Sequence, residues 1–420
     1  MVTMRLPARR PLLGLLGGCV LLAAVLPASP ASALPTAPDD PAVDALLQQR
    51  LANPRVGSDV GLIVIDAATG SVVSSHGGDA LMLPASNMKI VTAVNVLSTM
   101  GADARFTTRV RAGDTPTDLV LQGGGDPLLT STDLQNLATQ AAQSLPVGTK
   151  IVVHPDTDLF PAPGRGPGWT TGYLPYVAAP VVPLARLGDY SPDPAANATR
   201  VFVAKLRSLG IKAKVGDAAN AQDSAPTLAE VSDHTVDDAV SVMLSRSENN
   251  IAEVLYRHVA LASGHEPTWD GARQAAEETI AGLGVDPAGM SLLDGSGLSR
   301  KDRVSPRFLA NVLRLARVTK PERFVDIFES DALPVSGKTG TLATAYGRYV
   351  TKHARCARGD VHAKTGSLFD TIALSGLAET TAGDERLFAI LVNHRPQRYS
   401  ALSTRQALDG LTATITGCWD

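Results

Sequence analysis

The chain has 420 residues, 44% of them hydrophobic and 19% charged, and a formal net charge of −3. That balance fits a globular protein of roughly two or three domains and excludes both a disordered chain and a membrane-embedded one. With no basic run to neutralise phosphates, nucleic acid is not an expected partner.

Residues 1–33 read as a secretory signal peptide. Arg5, Arg9 and Arg10 form a basic start, Pro11 to Leu26 is apolar, and Ala31-Ser32-Ala33 supplies the small residues of a cleavage site. Leu16-Gly17-Gly18-Cys19 is a rival lipoprotein-type site that would leave Cys19 lipid-anchored. Hydrophobicity continues past Cys19, so cleavage after Ala33 is favoured, placing the mature chain across the cytoplasmic membrane: secreted, in the cell wall or in the periplasmic space. No later stretch has the length and apolarity to span a membrane. Cys356 and Cys418 then remain, free to pair in an exported chain if the fold brings them close enough. Neither belongs to a metal-spaced cluster and no His-Glu-x-x-His occurs, so neither metal nor cofactor is expected.

After a Pro-rich lead-in, Val43 to Leu51 predicts a short helix, and Gly61 to Asp66 with Ser71 to Ser75 predicts two strands joined by a turn. They lead into Pro84-Ala85-Ser86, which opens a helix running to about Met100. From 104 to 223 the texture changes. The triple glycine Gly123 to Gly125 reads as a tight turn, because no Gly-Lys-Ser/Thr follows to make it a phosphate loop. Leu134 to Ala142 looks helical and Lys150 to Val153 strand-like. Phe160 to Pro194 is long, rich in Pro and Gly, and carries Trp169, Tyr173, Tyr176 and Tyr190; such a loop is functional or packed against another part of the chain. Helical periodicity returns at Val236 to Leu244, Asn250 to Ala262 and Thr268 to Leu283. Asp294 to Arg300 is a turn, and Ser305-Pro306 caps a helix to about Arg317. Val361 to Thr365, Ile372 to Ala378 and Leu387 to Asn393 predict three strands, and Ala401 to Ile415 a closing helix. One sheet completed by both chain ends follows.

Three elements carry chemistry. Ser86 and Lys89 stand three apart on one helix face, where a lysine amine can reach a serine hydroxyl as its base. Ser247-x-Asn249 offers a hydroxyl and an amide at the apex between two helices, although the same residues can simply cap a helix. Lys364-Thr365-Gly366-Ser367 lies on a predicted strand and offers a charge for an anion, a hydroxyl and a backbone N–H. Lys338-Thr339-Gly340 repeats the pattern, but only Lys364 is followed by the strands and helix that a sheet-edge motif needs. The histidines, His258 among them, read as surface or packing residues; His362, two positions before Lys364, is the exception to watch.

In that order the three elements resemble the penicilloyl serine transferases, meaning penicillin-binding proteins and serine β-lactamases. Leu121 to Leu129, Ser247 to Ala252, Asp294 to Ser299 and Ala363 to Leu368 are similar to segments of the class C low-molecular-mass penicillin-binding proteins, from about residue 42 onward. The resemblance implies an α+β fold with an antiparallel sheet flanked by helices. It also implies a discontinuous catalytic domain, 34–103 with 224–420, and an inserted domain at 104–223. The implied activity is that of a serine D-alanyl-D-alanine carboxypeptidase or endopeptidase acting on peptidoglycan peptides and acylated by β-lactams. In that scheme Ser86 is the nucleophile and Lys89 its base, Ser247 relays a proton, and Asn249 orients Lys89 and substrate. Lys364 and Thr365 hold the terminal carboxylate, and the N–H groups of Ser86 and Ser367, beside Gly366, receive the oxyanion. The rivals are a serine β-lactamase, for which no dedicated Glu base can be assigned, and an inactive binding protein on the same scaffold.

Overall fold

The computed structural model of the chain describes residues 40–329 and 332–419, so the expected leader lies outside the described residues. These residues belong to a single unit, Pro35–Asp420. Helix α1 (Pro41–Leu51) starts on the Asp40 side chain, and β1 (Val60–Asp66) and β2 (Val72–His76) form the expected pair before α2 (Met88–Thr99). Then come β3 (Thr108–Ala112), β4 (Asp118–Gln122), α3 (Ser131–Ala142), β5 (Lys150–Asp156), α4 (Pro194–Ser208), β6 (Lys212–Val215) and β7 (Thr227–Val231). Five helices follow: α5 (Val236–Arg246), α6 (Asn249–Ala262), α7 (Trp269–Gly282), α8 (Pro306–Arg314) and α9 (Pro321–Glu329). The described chain closes with β8 (Val361–Ser367), β9 (Ile372–Glu379), β10 (Glu385–Val392) and α10 (Ala401–Ile415).

Among the described residues the strands form two sheets. The first has the order β2-β1-β10-β9-β8, all antiparallel, and joins the two chain ends as expected. Its central strands are continuous apolar runs because both faces are covered. Side chains alternate across a strand, so Ile63, Ile65, Leu387 and Leu391 face the core that holds Val91, Val94 and Phe308, whereas Leu62, Val64, Phe388 and Ile390 face Leu47, Leu408 and Leu411. Each such fully buried side chain contributes about 1.5–3 kcal/mol. Strand β8 is left at the edge, beside the turn that carries Ser86.

The second sheet, β6-β5-β4-β3-β7, is mixed: β4, β5 and β6 run parallel, joined by α3 and α4, whose Leu134, Leu137, Phe202 and Leu206 pack on Leu121, Ile151 and Val153. The expected end of this region at 223 is too early, because β3 takes β7 as its outer partner, with Thr108 opposite Val231. The helix expected to reach Arg317 stops at Arg314 and continues as one π-helical turn, Leu315–Thr319. Cys356 and Cys418 form a disulfide with Cα atoms 5.8 Å apart.

Candidate active site

Ser86 sits in a single 3-10 turn, Ala85–Asn87, that runs straight into α2. Ala85 adopts φ +46°, a strained value for a residue with a Cβ. The turn is held from both sides by close backbone approach. A Cβ on Gly297 would lie 1.8 Å from the Ala85 carbonyl oxygen, and one on Gly366 would lie 2.9 Å from Asn87 Nδ2, so only glycine fits at either place. Asn87 Nδ2 donates to the Lys364 carbonyl at 3.2 Å, tying the turn to β8.

One helical turn after Ser86, Lys89 is completely buried. Its Nζ is 3.1 Å from Ser86 Oγ and donates to Asn249 Oδ1 and to the Ser296 carbonyl, both at 2.8 Å. Asn249 Nδ2 in turn donates to the Val177 carbonyl at 2.8 Å, which fixes the orientation of the amide and leaves its oxygen facing the amine. Burial pushes the Lys89 pKa down to about 8, opposed by the negative charges of Glu253, Asp294 and Glu248.

Ser247 stands between α5 and α6 in a left-handed conformation, φ 62° and ψ 36°, which turns its hydroxyl toward β8. Lys364 Nζ donates to Ser247 Oγ and to the Thr365 carbonyl, each at 2.9 Å, and is also completely buried. Burial and the neighbouring charge of Lys89 hold its pKa well below the usual lysine value. The Lys364 amine is thus directed at Ser247. Thr365 Oγ1 is 2.7 Å from Thr341 Oγ1, and Ser367, at the exposed end of β8, accepts from Arg405 at 3.0 Å. Lys338 is elsewhere, its amine against Gly359. His362 is bridged to Val335 on the outer side of β8. His258 is a packing residue whose Nε2 donates to the Gly125 carbonyl at 2.8 Å, between the rings of Phe106 and Phe160.

Sequence reasoning missed the groups that support these residues. Glu253, on α6, accepts the N–H groups of Gly295 and Ser296 at 3.1 and 2.9 Å, and so aims the Ser296 carbonyl at Lys89. Asp294 accepts from Gly297 N, Ser299 N and Trp169 Nε1, all at 2.7 Å. Burial raises Glu253 to about 8 and raises Asp294 as well, and it carries Asp302 well above the usual carboxylate range. The long loop before α4 straps over this assembly. Besides Trp169 and Val177, Ala179 N donates to Asn250 Oδ1 at 2.9 Å and Tyr190 Oη to Glu248 Oε2 at 2.8 Å. Four aromatic residues in a Pro/Gly-rich stretch were the available signal.

A serine beside a buried lysine, a second serine–lysine pair, and an antiparallel sheet edge against helices define the penicilloyl-serine-transferase class. The fold matches a crystal structure of penicillin-binding protein 4 from Haemophilus influenzae with a TM-score of 0.74 at 21% identity, covering 89% of this chain and 98% of that one. The model of the D-Ala-D-Ala carboxypeptidase 3 (S13) family matches residues 43–186 and 171–415, and the chain belongs to that family. It is 30% identical over 397 residues to a carboxypeptidase DacB of Mycolicibacterium smegmatis, covering 89% of this chain and 83% of the relative. It is also 30% identical over 450 residues to a D-alanyl-D-alanine carboxypeptidase of an Actinomadura species, covering 84% and 80%. The chain is thus a serine-type D-alanyl-D-alanine carboxypeptidase of the class C low-molecular-mass penicillin-binding proteins.

Proposed function

We propose that Ser86 is the acylated nucleophile and Lys89 the group that takes its proton, in the cleavage of the D-alanyl-D-alanine bond of peptidoglycan stem peptides. The observation that carries this is what surrounds the Lys89 amine. Protonated, it donates to three oxygens. When it loses a proton, the Asn249 amide oxygen and the Ser296 carbonyl can only accept, so they keep the two remaining N–H groups and the lone pair faces Ser86.

Ser86 Oγ then attacks the carbonyl carbon of the penultimate D-alanine as its proton passes to Lys89 Nζ. The N–H groups of Ser86 and Ser367 receive the oxyanion, where each donor is worth on the order of 10²-fold in rate or more. The C–N bond breaks, Ser247 Oγ gives its proton to the departing nitrogen and regains one from Lys364, whose amine donates to it, and the proton held by Lys89 restores the starting charge of the pair. Water attacks the Ser86 ester by the same route in reverse, releasing the shortened peptide and restoring the hydroxyl.

Cleavage of crosslinked peptides and acylation by β-lactams belong to the same reading. In their support, an endopeptidase from Bdellovibrio bacteriovorus shares the fold with a TM-score of 0.57 at 18% identity, covering 86% of this chain and 92% of that one, and penicillin-binding protein 4 of Haemophilus influenzae has been solved with a β-lactam bound. Export fits the leader reading of residues 1–33 and the Cys356–Cys418 disulfide, which needs an oxidising compartment. Among the described residues no helix is long and apolar enough to cross a membrane. The test is release of D-alanine from a peptide ending in D-Ala-D-Ala, alongside cleavage of a crosslinked muropeptide dimer. Wild type acts on at least one and Ser86→Ala on neither; activity retained by Ser86→Ala overturns the assignment.

A further inference from the structure

The Lys364 amine is fully buried and committed to Ser247 and the Thr365 carbonyl, so a carboxylate substrate calls for a second cation nearby. The structure holds another cation at the end of the same strand. Thr365 and Ser367 are two apart on β8 and so share a face, and Arg405, from the first turns of α10, donates its Nη2 to Ser367 Oγ at 3.0 Å. That is the one hydrogen bond its guanidinium makes among the described residues, and no carboxylate there pairs with it. Asp409, whose negative charge acts on it, is occupied: it accepts twice from Arg348 Nε, at 3.0 and 3.2 Å, and from Tyr349 N at 2.9 Å. Burial, and then the like charges of Arg348 and Arg395, hold the Arg405 pKa below the usual arginine value. A part-buried guanidinium with unused donors, in a positive field and beside the Ser367 hydroxyl, has the chemistry to bind an anion.

We propose that Arg405 is the residue that binds the C-terminal carboxylate of the departing D-alanine, together with the Thr365 and Ser367 hydroxyls, while Lys364 acts on Ser247. The idea rests on the reading that the Ser86 cleft cleaves D-Ala-D-Ala peptides, and it adds the specificity element that distinguishes a free carboxy-terminus from a blocked one. Arg405 is a binding residue in this scheme and takes no part in proton transfer.

The experiment measures kcat/KM for one peptide as its free acid and as its C-terminal amide, in wild type, Arg405→Ala and Arg405→Lys. Wild type prefers the acid. In Arg405→Ala the acid-to-amide ratio falls about 10- to 100-fold, the size of one charge-assisted hydrogen bond, and Arg405→Lys restores part of it by keeping the charge without the planar fork. A ratio equal to wild type in both variants, including the case in which both substrates slow together, overturns the proposal. Should Arg405→Ala fail to fold, as judged by circular dichroism, Arg405→Gln takes its place with the same ratio as readout. Wild type inactive on both substrates and unlabelled by penicillin would instead overturn the underlying reading of the cleft.

Discussion

The two sheets bury different things. Around the second sheet the buried carboxylates do local work: Asp133 closes a capping box with Thr130 at the start of α3, and Asp156 accepts from Gln122 Nε2 and Ala221 N. Each sits at a chain turn where a backbone donor would otherwise be unpaired. Beside the first sheet, Lys89, Lys364, Glu253, Asp294 and Asp302 are all buried, and besides burial Asp294 pushes up Glu253 and Asp302, Glu253 and Asp294 push up Lys89, and Lys89 pushes down Lys364. Such concentration of desolvated charge is costly to a fold. Under the proposed mechanism, that cost is borne where protons move.

The largest expected effect is on Lys89. Lys89→Ala removes the proposed general base, so acylation by benzylpenicillin is expected to slow by about 10²- to 10⁴-fold, measured by stopped-flow or quench. In wild type the acylation rate follows the neutral amine: it rises about tenfold per pH unit from pH 6 and levels off above about 8, the Lys89 pKa. A flat profile across that range would separate Lys89 from the base role.

Next come the buried carboxylates. Asp294→Ala leaves Trp169 Nε1, Gly297 N and Ser299 N without an acceptor and is expected to cost about 3–5 kcal/mol in urea unfolding. Asp133→Ala loses only part of a helix cap, about 1 kcal/mol. Equal costs would erase the contrast between the two sheets.

Between them in size is a pH effect at the join of the two regions. Burial lowers the His258 pKa from 6.5 to about 4, with its Nε2 proton held by the Gly125 carbonyl. The unfolded chain therefore takes up the second ring proton, at Nδ1, more readily than the folded one. The stability it contributes is full above pH 6.5 and is lost as pH falls from 6.5 to 4, by about 3 kcal/mol in total. Chemical denaturation of His258→Gln between pH 7 and pH 4 should show a shallower decline than wild type.

Legibility in the sequence followed the same divide. Strands β1, β9 and β10 announce themselves as apolar runs because both faces are covered, and the three motifs could be read from spacing alone. Strands β3 (Thr-Arg-Val-Arg-Ala) and β6 (Lys-Ala-Lys-Val) escaped, since in so few residues an outward charged face masks the alternation. Helix α4 escaped although Asp193 caps it and Pro194 opens it, the signal being hidden at the end of a Pro/Gly-rich loop. In the site, spacing could bring Lys364 near Ser247 but could not tell which way the amine turns, because that depends on the left-handed Ser247. Glu253 and Arg405 were not legible: their partners, the Ser296 N–H and the Ser367 hydroxyl, are far from them in sequence.

The most direct test of the account is the intact mass of the mature protein and of Ser86→Ala after brief exposure to benzylpenicillin, followed over hours with peptide mapping. The account predicts one stable adduct per wild-type chain, located on the peptide that carries Ser86, and none on the variant. An adduct on Ser86→Ala, or no adduct on wild type, contradicts it, and an adduct that vanishes within seconds as the drug is hydrolysed indicates a β-lactamase instead.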